Sequence, residues 1–457
     1  MPDDWKCARI TPIYKGKGPT NECNNYRPIS VISHVSKLME KAILVQMKEY
    51  LSSHDFISGS QSAFIKNHST TTAIHKFISD VLDGINENEI TAVCFIDLQK
   101  CFDTINHDLL LAILKMYGLI GMTYNWFSNY LNSRKQCVKN NHVLSSFLDI
   151  VMGVPQGSIL GPILFLLFIN DLPNAIVHSH CNLFADDTIV YSQANEMDVT
   201  ESQLQNDLDN VMKWFHINKL HVNSSKSSCM TLTTKHNVRN LQITMNDTPI
   251  AVQSAFKYLG VNISNKLSWD KHISQVCKRL GYSIQILRKL KGVVPLDDLI
   301  TVYKTLVQPH IDYCITIWGY APACQVQRVQ RLQNKIIRLV TGIYSWDISP
   351  RIILQDLDIA NVTQRRNYFN GINVFKCLDG SFPNYMSDML SYTSEYNEYN
   401  TRNVSNNELY VPRPRLDLYR QSFQYTGPML YNSLPNTIKN VESLLCFKKE
   451  LRSHVLS

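Results

Sequence analysis

The 457-residue chain has 12 cysteines but no Cys-x-x-Cys pair. This excludes the paired-thiol spacing of a zinc ribbon or knuckle. Several cysteines, such as Cys94 in "AVCFID", sit inside apolar runs and read as small core residues. Such usage suits a reducing, intracellular setting. Long hydrophobic runs are also missing. The longest, "ILGPILFLLFI" from Ile159 to Ile169, is too short to span a bilayer and is interrupted by Gly161 and Pro162. It reads as a buried core helix, and no membrane partner is expected. The opening "MPDDWKCARITPIYKG" lacks the basic and apolar regions of a signal peptide. There is no internal repeat and no low-complexity tract. Charge is sparse, with 18% charged against 44% hydrophobic residues. That balance fits a globular chain, whose length suggests about three domains. A net charge of +7 is compatible with a polyanionic partner without requiring one.

What is present is clear periodicity. Residues 35–51 carry Leu38, Met39, Ala42, Ile43, Val45, Met47 and Leu51 at helical spacing. "ITAVCFIDL" (90–98) is a strand-length run rich in β-branched and aromatic residues, and a helix is expected from about His107 to Tyr117. "NLFADDTIVYS" reads as two short strands around an acidic turn. Residues 201–215 form an amphipathic helix, and "CMTLTT", "LQITMN" and "FKYLGVNIS" read as further strands. After about residue 266 helical patterns dominate, over 272–291 and 324–340, and basic residues become frequent. Residues 391–408 are polar and rich in Asn and Ser, as in a linker or mobile loop.

The acidic pair in "LFADDTIVY" needs a physical reason. Buried carboxylates are costly unless they are paired, hydrogen-bonded or bound to metal. No Lys or Arg lies within "NLFADDTIVYS" to neutralise Asp186 and Asp187. Asp97 ends a second apolar strand, which could bring it beside Asp186. Divalent metal is then the natural counter-charge, since Mg²⁺ favours carboxylate, water and phosphate oxygens. In isolation the same residues also suit a solvated hairpin turn. "MGVPQGSILGPILF" (152–165) adds a Gly/Pro turn that leads into an apolar helix. Its glycines allow close backbone approach to a ligand, although Gly and Pro also mark ordinary loops.

Together these segments resemble the reverse transcriptase of non-LTR (LINE-type) retrotransposons, in the jockey-like and chicken-repeat-like groups. "FIDLQKCFDTINH" is similar to the family's first catalytic motif, and "GVPQGSILGPILFLLFINDLP" to its template- and nucleotide-contacting loop. "LFADD" resembles the catalytic hairpin. "WFHINKLHVNSSKS" and "FKYLGV" resemble the next palm motif and the primer grip. "WKCARITPIYKGKG", "NNYRPISVISHVSKLMEK", "YCITIWG", "RLQNKIIRLVTG" and "GPMLYNSLPNTIK" extend the likeness over nearly the whole chain.

The resemblance implies an α+β right-hand polymerase, with fingers, an antiparallel palm sheet and a mostly helical thumb. Residues 1–265 would form fingers and palm, 266–390 a basic helical thumb or connection, and 391–457 a polar linker and C-terminal tail. It implies an RNA-directed DNA polymerase that extends a DNA primer on an RNA template with dNTPs. Asp97, Asp186 and Asp187 match the metal-binding carboxylates, for two Mg²⁺ ions that Mn²⁺ can replace. Phe102 matches the position that screens the sugar 2′ carbon, so dNTPs are expected over rNTPs. Gln156 and Gly157 would lie beneath the nascent base pair. Lys226 would sit near the triphosphate, and Arg27 would contact nucleotide or template. Tyr258, Leu259 and Gly260 match the primer grip. No small-molecule cofactor is implied, and nuclear residence is the expected location.

Departures from the family pattern also matter. Cys101 stands where Ala is usual. Ala63, Ile65 and Asn67 stand where Gly, Arg and Gly are usual, which puts fingers flexibility and template grip in doubt. The upstream endonuclease of full-length members is absent from this sequence, so no target nicking is expected of the chain. Separately, helical spacing puts Arg328, Arg331, Lys335 and Arg338 on one face, suited to tracking phosphates. Lys278, Arg279, Arg288, Lys289 and Lys291 form a second basic stretch. Two other readings remain: a catalytically inactive nucleic-acid-binding remnant, and an RNA-dependent RNA polymerase, which the ring of Phe102 disfavours.

Overall fold

Residues 1–141, 143–345, 347–395 and 408–456 are described in this computed structural model. Most of the polar stretch 391–408 lies outside them. The chain opens with β1 (Cys7–Tyr14) and β2 (Tyr26–Val31), an antiparallel pair with Arg9 opposite Val31 and Tyr14 opposite Tyr26. Helices α1 (His34–Ser53) and α2 (Thr70–Asn86) follow. A Ser69–Thr72 capping box starts α2. Its buried Ile74, Phe77, Ile78, Val81, Leu82 and Ile85 form a one-sided stripe. Next comes β3 (Ile90–Ile96), buried at every position. Strand β4 (Arg134–Asn140) runs parallel to β1 and completes the fingers sheet with Leu148–Ile150.

Helix α3 (Gly161–Ile169) starts with Pro162 in its first turn and has no polar face, as a helix enclosed by protein requires. It is the buried helix expected for the longest apolar run. A hairpin of β5 (His180–Phe184) and β6 (Asp187–Ala194) leads into α4 (Met197–Ile217). Then come β7 (Ser228–Leu232), β8 (Ala251–Val252) and a second hairpin of β9 (Ala255–Tyr258) and β10 (Val261–Ser264). Of "LQITMN" only Thr244–Met245 is strand.

The palm sheet has the order β8–β7–β3–β6–β5, antiparallel except for β8 against β7. Alternation along β3 divides the core. Val93 and Phe95 join the cluster that includes α2 and the helices after the palm, while Ala92, Cys94 and Ile96 join the one around α3 and α4. Helices α5 (Asp270–Leu290) and α6 (Ala323–Thr341) pack together as the thumb.

A third cluster joins α7 (Val362–Leu378) to α8 (Phe423–Ser433) and α9 (Leu444–Leu456), through Phe375, Tyr431, Phe447 and Leu451. It crosses the division drawn at residue 390, so α7 packs with the tail helices. Gly371 makes room for this: a Cβ there would come 2.7 Å from Leu451. The tail returns to α2, where the Tyr419 hydroxyl donates to Asp83 at 2.8 Å and the Gln424 amide reaches the other carboxylate oxygen at 3.1 Å.

His75 of α2 is buried, with Nε2 2.8 Å from Thr316 Oγ1. Burial lowers its pKa from 6.5 to about 4. An unfolded chain would protonate this ring near 6.5, so its contribution to stability is complete above that pH and declines as pH falls toward 4. The loss is about 3 kcal/mol. Urea midpoints measured from about pH 7 down to about pH 4.5 are expected to drop steeply for the wild type and less steeply for His75→Gln.

Candidate active site

The register of the palm sheet gathers the carboxylates. Ile96 pairs with Thr188, so one step further Asp97 comes opposite Asp187. Phe184 pairs with Asp187, which leaves Ala185 and Asp186 as a two-residue turn. Asp97 therefore lies at the same sheet end as Asp187, whose carboxyl feels the charges of both Asp186 and Asp97, and Asp186 sits in the turn. Ala185 has φ +55°, a left-handed conformation that L side chains resist.

Gln61, fully buried, holds that turn from the fingers. Its Oε1 accepts from the backbone N–H of Ala185 at 3.3 Å, and from Ser62 and Ala63 at 3.0 and 2.9 Å. The neighbouring backbone pairs with the edge strand: Leu183 N–H donates to Ser60 at 2.8 Å and Ser62 N–H to Leu183 at 2.9 Å. In the altered stretch 61–73 one of the positions where Gly is usual has left-handed backbone. Asn67 has φ +67°, and Asn is the residue other than glycine that best tolerates it.

Asp97 is fixed from the other side. Its N–H donates to Ser227 Oγ at 3.1 Å and its carbonyl accepts from Asn223 N–H at 2.7 Å. The same loop presents Lys226, whose Nζ is 3.8 Å from Asp97 Oδ2 and whose side chain is 69% exposed. So loose a pair leaves the site strongly negative. Solvent reaches Asp187, yet the protein crowded around it, followed by the charges of Asp186 and Asp97, raises its carboxyl to about 6. Burial and then the charge of Asp186 push the Cys101 thiol upward as well, and this side chain fits the small buried space that Ala would occupy.

The 153–158 loop is bolted to the segment after Asp97. Gly153 N–H donates to Ile105 at 2.7 Å and Val154 N–H to Phe102 at 2.8 Å. Gly153 has φ +85°, and a Cβ would fall 2.6 Å from the Asp103 carbonyl. Gln156 Nε2 donates to Asp103 Oδ1 at 2.9 Å, and its carbonyl accepts from Ser30 N–H of β2 at 2.7 Å. At Gly157 a Cβ would meet the Ser30 carbonyl at 2.7 Å. The Phe102 ring rests on Phe165 of α3, centroids 4.6 Å apart. Arg27 of β2 is exposed.

The residues that match the family's primer grip lie at the β9–β10 turn, with Leu259 at φ +42° and Gly260 at φ +85°. Tyr258 is buried beside the acidic end of the sheet: burial and then the charge of Asp187 drive its hydroxyl pKa upward. The thumb cations divide into two kinds. Arg328 is bound to Asp270 at 2.5 Å and Ser274 at 2.8 Å. Arg338 donates to the carbonyls of Ser345 and Ile348 at 2.7 and 2.8 Å. Both are engaged within the thumb. Arg331 and Lys335 are exposed with no ion pair among the described residues.

Sequence reasoning missed Gln61, Asp103 and Ser227. Asp103 and Ser227 both lie inside quoted motifs. Gln61 and Ser227 are ordinary polar residues until the chain folds.

An antiparallel sheet with clustered carboxylates at one end, flanked by a fingers sheet and a helical thumb, defines a right-hand nucleic-acid polymerase. The family model described as reverse transcriptase (RNA-dependent DNA polymerase) matches residues 13–263, and the chain belongs to that family. It is 29% identical over 375 residues to the probable RNA-directed DNA polymerase from transposon X-element of Drosophila melanogaster, covering 80% of this chain and 41% of that protein. It is 27% identical over 393 residues to the RNA-directed DNA polymerase from mobile element jockey of the same organism, covering 82% and 42%. These matches bear out the jockey-like resemblance. The chain thus spans about two fifths of the length of the curated relatives it matches. Among solved structures, apo telomerase from Candida tropicalis aligns with a TM-score of 0.44 and 12% identity, covering 74% of this chain and 58% of that one.

Mutual repulsion at the sheet end opposes folding when no cation is bound. In EDTA at about pH 7.5, Asp187→Asn is expected to melt at a higher temperature than the wild type. An equal or lower midpoint would show that the three charges do not strain the fold.

Proposed function

We propose that the chain is the polymerase module of a non-LTR retrotransposon protein, extending a DNA primer on an RNA template with dNTPs. The observation that carries this reading is the gathering of Asp97, Asp186 and Asp187 at one sheet end with only a loose lysine pair as compensation. Among the described residues no group of three or more His, Cys, Asp or Glu is already arranged to hold a metal ion; the oxygen donors and excess negative charge at this sheet end are what would suit Mg²⁺, and Mn²⁺ by the same chemistry. Asp97 and Asp186 would hold two such ions, with Asp187 in support. Bound there, the metal would activate the primer 3′-hydroxyl and neutralise charge on the triphosphate.

The protein's own part is positioning. Phe102, braced by Phe165, would exclude a ribose 2′-hydroxyl. Gln156 and Gly157, fixed to β2 and Asp103, would support the nascent pair. Lys226 would approach the triphosphate, Arg27 would meet nucleotide or template, and Tyr258–Gly260 would hold the primer end. Among the described residues no helix is long and apolar enough to cross a membrane. Nuclear residence follows as a proposal from the chromosomal DNA such elements use.

Primer extension on poly(rA)·oligo(dT) with dTTP and Mg²⁺ tests the reading. Wild-type chain is expected to extend, Asp186→Asn to lose extension, and Phe102→Ala to accept UTP more readily. Failure of the wild type to extend, with the duplex still bound, would leave an inactive nucleic-acid-binding remnant.

The division among the thumb cations gives a separate expectation. Arg331→Ala with Lys335→Ala should weaken duplex binding and reduce its log–log salt slope by about 1 to 2. Arg328→Ala should chiefly lower the melting temperature. Unchanged affinity in the double variant would remove this face from the binding surface.

A further inference from the structure

One side chain from the region after the palm touches both the start of α2 and the primer hairpin. Tyr313 stands in "YCITIWG", between the short helices Gln308–Asp312 and Ile315–Trp318. Its hydroxyl donates to the Leu259 carbonyl at 2.6 Å and lies 3.3 Å from Thr70 Oγ1, at the start of α2. A phenol has one proton, and the shorter contact takes it, so Thr70 donates in the second bond. The ring closes over Gly260, where a Cβ would come within 3.2 Å of it.

The turn held in this way is intrinsically poor. Both of its residues are left-handed, and the first is Leu259, a side chain with no aptitude for that conformation. Something outside the hairpin must hold it. Tyr313 is itself well anchored, since Trp318 Nε1 donates to its carbonyl at 2.9 Å and Thr71 Oγ1 lies 3.5 Å from the adjacent Cys314 Sγ. The turn lies immediately after Tyr258, whose ring packs against Phe77 and Phe95 and whose hydroxyl lies near enough to Asp187 to feel its charge.

We propose that Tyr313 is a positioning residue for the primer terminus. Its hydroxyl ties the Leu259–Gly260 turn to the first turn of α2, so that the helices after the palm, α2 and the primer hairpin hold one spacing from the carboxylates. This rests on the primer-grip role given to the hairpin above. A purely structural aromatic would need only the ring, whereas this role needs the hydroxyl.

The test compares Tyr313→Phe with the wild type, with Asp186→Asn as the catalytic control, using the full chain. Three quantities are read: the melting midpoint, hydrogen exchange of backbone amides 255–264, and single-nucleotide extension as a function of dTTP. Tyr313→Phe is expected to melt near the wild type, to exchange about tenfold faster across the hairpin, and to lose about tenfold in kcat with the dTTP KM unchanged, the factor one hydrogen bond supplies. Hairpin exchange equal to wild type overturns the proposal, as does a loss confined to the dTTP KM. Should the wild type bind duplex but not extend it, the polymerase reading fails alone. Exchange measured with and without poly(rA)·oligo(dT) then decides: protection gained by the wild type and not by Tyr313→Phe upholds the tether, and equal gain overturns it.

Discussion

The structure depends on holding three like charges together at the end of a buried sheet. Asp97 follows the last paired residue of β3, Asp187 opens β6 opposite Phe184, and Asp186 sits on the turn between β5 and β6. No local partner justifies that placement, because the loose contact to Lys226 offsets only part of the charge. The packing behind the site therefore has to supply the stability. β3 is buried on both faces, between α2 on one side and α3 and α4 on the other. Such a strand cannot shift register without moving its whole inward set into the wrong cluster. The register that gathers the carboxylates is thus fixed by apolar residues far from the chemistry.

The loops around the site obey a second constraint, close backbone approach. At Gly153 and Gly157 the space a Cβ would need is already filled by the carbonyls of Asp103 and Ser30. The 153–158 loop is consequently joined to both the segment after Asp97 and to β2 by main-chain hydrogen bonds. Fingers, loop and palm become one frame, in which Phe102 and Gln156 have few ways to move. Precise placement of reacting groups requires rigid support of this kind.

What the sequence makes legible is local. The alternation of β3, the strand–turn–strand of "LFADD", the helical stripes and the apolar helix after the Gly/Pro turn all depend on neighbours a few residues apart. Each appears in the fold with shifts at its ends. Distant partners are a different matter. Arg328 and Arg338 look equivalent to Arg331 and Lys335 on a helical wheel, yet Asp270 claims one and the carbonyls of Ser345 and Ile348 claim the other. The approach of Asp97 to the hairpin carboxylates depends on cross-strand register, which spacing along one strand does not encode. Gln61 acquires its part only when its segment pairs with β5, and α7 joins the tail helices only through contacts between segments far apart in sequence.

Left-handed backbone occurs at non-glycine residues in many parts of the chain, and several of these lie by the same site. Ala185, Leu259 and Lys100 adopt it without being glycine, alongside Gly153, Gly157 and Gly260. For the non-glycine residues the conformation costs roughly 1–2 kcal/mol each, and it persists only where surroundings over-determine it. Here those surroundings are identifiable: Gln61 for Ala185, Tyr313 for Leu259, and for Lys100 the backbone bond its carbonyl accepts from Asp103. A turn held by its own sequence would be independent of the rest of the molecule. A turn held by another region transmits the position of that region. Fingers and thumb can therefore act on the catalytic end of the sheet through two side chains, without any residue there having to change its chemistry.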